Sequence, residues 1–104
     1  PRGYLGIGVQ PVELPEHLRE KLSLSTRGGL IVLMVESNGP ADKAGVLVGD
    51  ILTGLGDTPV EQTDDLQTYC DSDTIGRSVK IKLIRGGALK ELTLTVGEHP
   101  GRPS

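Results

Sequence analysis

The chain has 104 residues, a formal net charge of −3 from 14 acidic and 11 basic side chains, and two aromatic residues, Tyr4 and Tyr69. That length makes one domain with a core of closely packed branched aliphatics, and the mixed charge and missing aromatic platforms exclude a phosphate-neutralising or base-stacking surface, so no nucleic acid is expected as a partner. A single cysteine, Cys70, forms no internal disulfide, and with only His17 and His99 beside it there is no Cys/His metal set.

Leu5, Ile7 and Val9 alternate with Gly6, Gly8 and Gln10, which predicts a strand over residues 5–10, stopped by Pro11, with its aliphatic side chains on one face. Over residues 14–22, Pro15 suits a first helical position and Leu14, Leu18 and Leu22 recur every fourth residue, which predicts a short amphipathic helix. Residues 29–35 form a continuous apolar run and read as a strand buried on both faces. The run is far too short to cross a bilayer, so no membrane insertion is expected.

Ser37 and Asn38 are cap-type residues before Pro40, and Gly45 is an exit, so one to two helical turns are expected between them. Residues 50–55 read as a strand, Gly56-Asp57 as a tight turn and residues 58–60 as a short returning strand. Thr63 is placed to cap a helix running to about Asp71, with Asp64 and Asp65 favourable against the macrodipole in its first turn. A closing hairpin pairs Val79, Ile81 and Leu83 with Leu92, Leu94 and Val96 around Arg85-Gly86-Gly87-Ala88.

The sum is five to six short strands and two to three short helices without β-α-β alternation. It describes an α+β domain, a partly open β-barrel or sandwich capped by helices, over residues 1–97. Residues 98–104 are Pro/Gly-rich and polar and read as a tail or linker. The start at Pro-Arg-Gly without a Met reads as a piece of something longer.

No catalytic set emerges. A G-x-S-x-G elbow is absent and no Ser, His and Asp arrangement is in view, so this chain is not expected to be an enzyme. His17 sits among Glu16, Arg19 and Glu20 and reads as a surface residue; Asp64 and Asp65 read as helix-end charges and no metal or cofactor is expected. Cys70 falls one turn from Leu66 and reads as a small apolar residue facing a groove or the core. The glycines of "GIGVQP" make a weak phosphate cradle, because a third glycine and a following helix are missing. Successive N–H groups around Leu5, Gly6 and Ile7 instead suit a carboxylate, and the strand that follows suits capture of an extended peptide along its edge.

At this point two stretches carry a family resemblance. "RGYLGIGV", residues 2–9, resembles the carboxylate-binding loop and groove strand of PDZ domains, and "NGPADKAGVLVGDILTGLGDTPV", residues 38–60, resembles the long framework stretch of the same family. The order, groove strand first and groove helix followed by a closing hairpin, is similar to the permuted bacterial form, and most similar to the domain following the trypsin-like protease domain in the HtrA/Deg family. The resemblance implies that the amides of Leu5, Gly6 and Ile7, in a loop with Tyr4, hold a ligand carboxylate with Arg2 assisting. It implies that Ile7, Gly8 and Val9 line the strand side of the groove, that Thr63, Gln67 and Cys70 face the ligand from the helix with Leu66 at the base, and that Tyr69 packs into the core or rim.

Two departures matter. Gly56-Asp57 replaces the family's usual Asn-Gly turn, and the histidine that selects Ser/Thr ligands in many animal PDZ domains is absent from the Thr63-Asp64-Asp65 region. An aliphatic C-terminal residue is therefore the expected ligand, and Cys70 leaves room for Val, Leu or Phe. The resemblance further implies a regulatory, substrate-recognising domain of an extracytoplasmic serine endopeptidase in protein quality control, trimeric or larger through its protease domain, that binds C-termini of misfolded proteins. The alternatives are an adaptor or scaffold PDZ domain, or the PDZ domain of an intramembrane metalloprotease or a C-terminal processing protease. A free edge strand beside an apolar pocket also invites a neighbouring chain, such as the tail from His99 to Ser104, into the groove.

Overall fold

Strands come where aliphatic residues alternate, and glycine, proline or acidic turns separate them. In the computed structural model, which describes residues 2–98, the chain runs β1 (Gly3–Tyr4), β2 (Ile7–Glu13), α1 (Glu16–Lys21), β3 (Gly28–Val35), α2 (Pro40–Ala44), β4 (Ile51–Leu55) and β5 (Thr58–Pro59). It continues through α3 (Thr63–Asp71), β6 (Ser78–Arg85), β7 (Ala88–Thr95) and β8 (Gly97–Glu98). The main sheet is antiparallel and open, in the order β2-β3-β4-β6-β7 with β5 beside β4; β1 and β8 form a separate pair. The domain is thus α+β with three short helices and an unclosed sheet.

Alternation holds best in the last hairpin. Val79, Ile81 and Leu83 are buried while Lys80 and Lys82 stay exposed, and the Gly86-Gly87 turn is of the kind a two-residue hairpin loop requires. These residues meet Leu30, Val32, Leu52, Leu55, Val60, Leu94 and Val96 in a core made of aliphatic side chains.

Four local expectations are corrected. The first strand neither starts at Leu5, because the left-handed Gly6 puts a turn before Ile7, nor stops at Pro11: β2 carries Pro11 opposite Leu30 and ends at Glu13, because an edge strand tolerates a residue without an N–H on its open side. β3 is not buried on both faces. It has one residue more than β2 between the pairs Gly8↔Met34 and Val9↔Val32, and this bulge breaks the alternation so that Leu33 and Met34 are both about half exposed. The helix start at residues 37–40 is capped by Gly39 rather than Ser37 or Asn38, with Pro40 in the first turn. Thr63 is the first residue of α3 rather than its cap; Gln62 caps it in a reciprocal box with Asp65. Glu98, read from sequence as the start of the tail, pairs with Gly3, and His99 to Ser104 lie outside the described residues.

One polar interaction is built into this apolar frame. Asp50 is 2% exposed, accepts the Leu47 N–H at 2.8 Å, and holds Arg85 by two bonds of 2.9 and 2.7 Å, while the same guanidinium reaches the Gly45 carbonyl at 2.9 Å. The turn before β4 is thereby tied to the end of β6. Burial pulls the Asp50 carboxyl upward, but the bonds from Arg85 and Leu47 outweigh it and hold the carboxyl below its ordinary value. A carboxylate with a lowered folded pKa adds stability above its unfolded pKa of about 4 and loses it as pH falls through the folded value. Asp50→Ala is expected to cost about 1–3 kcal/mol at pH 7, because it removes the buried acceptor of the Leu47 N–H and of the Arg85 fork. Urea unfolding of both chains measures this; the gap should narrow below about pH 4, and a gap unchanged at pH 3 refutes the assignment.

Candidate functional site

The approach to β2 turns on Gly6, whose φ of +75° is a left-handed conformation that glycine adopts at little cost. The turn is pinned by two bonds: the Leu5 carbonyl accepts the Ala41 N–H and the Gly6 carbonyl accepts the Glu36 N–H, both at 2.9 Å. A trans peptide plane sets its N–H opposite its carbonyl, so with both carbonyls drawn towards α2 and the end of β3, the N–H groups of Gly6 and Ile7 turn to the other side. Among the described residues, the backbone bonds of the connections draw on neither the Leu5 nor the Gly6 N–H.

The register of β2 continues this pattern. The bond from Glu36 to Gly6 flanks the pair Ile7↔Val35, which makes it a pair whose own N–H and C=O groups point away from each other. Ile7 therefore presents both groups to the open edge. At the far end the bond from Leu14 N–H to Arg27 O flanks Glu13↔Gly28 in the same way, and alternation back along the strand places Pro11 and Val9 in the same class. Val32, opposite Val9, agrees: its N–H goes to Asp50 O and its carbonyl accepts from Gly49, both at 2.8 Å and both on the β4 side.

Between this edge and α3 lies a cleft of about 320 Å³. Its walls bring together Arg2, Tyr4, Leu5, Gly6, Ile7, Gly8 and Val9 from the first segment and Thr63, Leu66, Gln67 and Cys70 from the helix. The helical four recur at i, i+3, i+4 and i+7 and so share a face. Leu66 and Cys70 are buried along it, and Thr63 and Gln67 are exposed at its rim. Gly3 also lines the cleft and escaped sequence reading; a Cβ there would stand 2.9 Å from the Thr74 hydroxyl, so only glycine lets β1 pass this close to the end of α3. Its signal was a glycine directly before the strand pattern.

Charge at the cleft is sparse. Arg2 pairs with Asp71 at 3.1 Å with both side chains more than half exposed, a contact of about 0–1 kcal/mol. Burial raises the Cys70 thiol above its ordinary value, and burial likewise raises the Tyr69 hydroxyl, whose ring packs against the core. Asp65 accepts the N–H groups of Glu61 and Gln62 at 2.8 and 3.0 Å, which hold its carboxyl below the usual range; it serves the start of α3. His17 is exposed on α1 and does not line the cleft, and the His99 position lies outside the described residues. Among the described residues no group of three His, Cys, Asp or Glu side chains is placed to hold a metal ion. Among the described residues, what the arrangement offers is a row of backbone groups on an open strand edge, beside an apolar slot, with the loop N–H groups of Leu5 and Gly6 at one end.

A family model described as PDZ domain matches residues 3–96. A probable periplasmic serine endoprotease, DegP-like, from Rickettsia conorii is 38% identical over 95 residues, which cover 91% of this chain and 18% of the relative. The corresponding protein of Ectopseudomonas mendocina is 33% identical over 99 residues, covering 95% and 20%. The chain thus spans about a fifth of the length of these relatives. Among solved structures, the HtrA-type protease AlgW with a decapeptide is similar at a TM-score of 0.77 and 29% identity over 97% of this chain and 30% of that one. The HtrA3 PDZ domain bound to a phage-derived ligand, FGRWV, reaches a TM-score of 0.69 at 19% identity over 90% of this chain and 84% of that one, a likeness of fold alone.

The depth of the cleft has a direct chemical readout. With Cys70 only 8% exposed and its thiol titrating high, Ellman's reagent at pH 7.5 is expected to modify it at least about tenfold more slowly than in the urea-unfolded chain. Equal rates would show that the thiol is open to solvent.

Proposed function

The chain belongs to the PDZ domain family, and from that premise we propose that it captures the C-terminus of an extended peptide by adding it as a strand to β2. The observation that carries this reading is the open edge of β2, whose outward backbone groups and loop N–H groups adjoin an apolar cleft. In this reading the amides of Leu5, Gly6 and Ile7 hold the carboxylate, with Tyr4 in the loop and Arg2 adding positive charge at its mouth. Ile7 and Val9 pair with the peptide main chain, while Gly8 between them keeps the strand surface low. Leu5, Leu66 and Cys70 receive an aliphatic C-terminal side chain, and Thr63 and Gln67 meet the residues before it.

The relatives are serine endoproteases of which this chain matches a fifth, and they are named periplasmic; a similar solved structure is described with a decapeptide. These findings favour a substrate-recognising or regulatory domain of an extracytoplasmic serine endopeptidase over a free-standing scaffold. There the domain presents exposed C-termini of misfolded proteins to the protease, or shifts its active population when a peptide binds. Affinity is set by a few ordered residues and falls on the order of micromolar, about −8 kcal/mol.

Fluorescence anisotropy with labelled peptides ending in Val, Leu or Phe tests the assignment. Amidating the terminal carboxylate of a binder is expected to weaken it by about tenfold or more, the loss of a charge-assisted set of hydrogen bonds; unchanged affinity refutes the carboxylate site. Cys70→Leu should shrink the slot and weaken Phe-ending peptides several-fold more than Val-ending ones.

A further inference from the structure

The outward register of β2 does not continue unchanged to its end. Ile7 and Val9 present an N–H and a carbonyl to the open edge, and the next outward position is Pro11, which has a carbonyl and no N–H. The cleft changes at the same place. Its strand wall comprises Ile7, Gly8 and Val9, all half-buried, whereas Gln10 and Pro11 are exposed and do not line it.

A peptide whose carboxylate sits at Leu5, Gly6 and Ile7 has its C-terminus at the start of β2 and so runs antiparallel to the strand. Its backbone groups then face β2 at every second residue. The C-terminal residue gives its N–H to the Ile7 carbonyl, and the residue two before it exchanges both groups with Val9. The residue four before it faces Pro11, where a ring methylene stands in place of the donor and its carbonyl has nothing to accept from. We infer that Pro11 breaks the ladder and limits the length of chain this domain reads: two-way main-chain pairing covers the last three residues of a peptide, and the residue four before the C-terminal one keeps only the bond from its N–H to the Pro11 carbonyl. The same proline blunts the exposed edge of β2 against pairing with other strands.

The inference rests on the proposed carboxylate-capturing function, and its test separates the two. The probes are N-acetylated Thr-Val-Thr-Val-Thr-Val and its last three residues, each with a free carboxylate, titrated into the 104-residue chain and into Pro11→Val, which restores a donor at an exposed strand position. The variant is expected to tighten the hexapeptide by about three- to tenfold, the range of one net hydrogen bond, and to leave the tripeptide within twofold. An unchanged hexapeptide, or an equal gain for both peptides, overturns the role of Pro11.

A second measurement needs no variant. An ester in place of the amide that follows a given peptide residue weakens the carbonyl of that residue as an acceptor. In the wild-type chain this replacement should weaken binding several-fold after the residue two before the C-terminal one, and leave it within twofold after the residue four before. Equal losses at both places overturn the inference, while binding indifferent to the terminal carboxylate overturns the underlying function and this inference with it.

Discussion

The two bonds that hold the carbonyls of Leu5 and Gly6 against Ala41 and Glu36 are the constraint on which the rest of the cleft depends. Planarity of the peptide unit converts them into an orientation of the opposite N–H groups, and a left-handed Gly6 makes both possible in one tight passage. The same bond to Glu36 sets the first pair of β2 with β3, so it also decides which residues of β2 face outward. Loop and edge are therefore one device. A change in that turn would alter the direction of the loop N–H groups and the outward register of β2 together.

Those anchors are held in place by the sheet behind them. Ala41 is fully buried at the start of α2, and α2 is followed by the turn that Asp50 and Arg85 clamp to β6. With an aliphatic core that lacks directional contacts, the buried carboxylate supplies a fixed geometry where packing alone would tolerate a shift. On the opposite wall, Gln62 and Asp65 fix the start of α3 and so the phase with which Thr63, Leu66, Gln67 and Cys70 meet the strand. Among the described residues the buried polar side chains are Asp50, Thr53 and Thr74, and Asp50 sits where the turn before β4 must be fixed.

Much of this was legible in advance for physical reasons. Alternating Val79, Ile81 and Leu83 face a core whichever fold contains them, and Thr63, Leu66, Gln67 and Cys70 share a face of any helix that includes them. The eleven residues named from the family resemblance line one cleft; alternation by itself grouped only Leu5, Ile7 and Val9 on a strand face. Other features escaped a local reading. Pro11 reads as a stop signal until the strand is known to lie at an edge; Leu33 and Met34 read as core until a bulge is seen to break their alternation. Gln62 outcompeted Thr63 as a cap because Asp65 returned the bond, a reciprocity that propensity does not contain.

The amino-acid sequence by itself determined the fold class, the aliphatic core, the approximate positions of strands and helices, and the strand face shared by Leu5, Ile7 and Val9. These follow from periodicity and backbone chemistry, which are local properties. Only the tertiary structure decided that β2 is an edge, that Ile7, Val9 and Pro11 turn their backbone groups outward, and that Arg85 closes on Asp50 across 35 residues of chain. These depend on which strand pairs with which and in what register, and pairing is settled by contacts between segments remote in sequence, where no local pattern records the outcome.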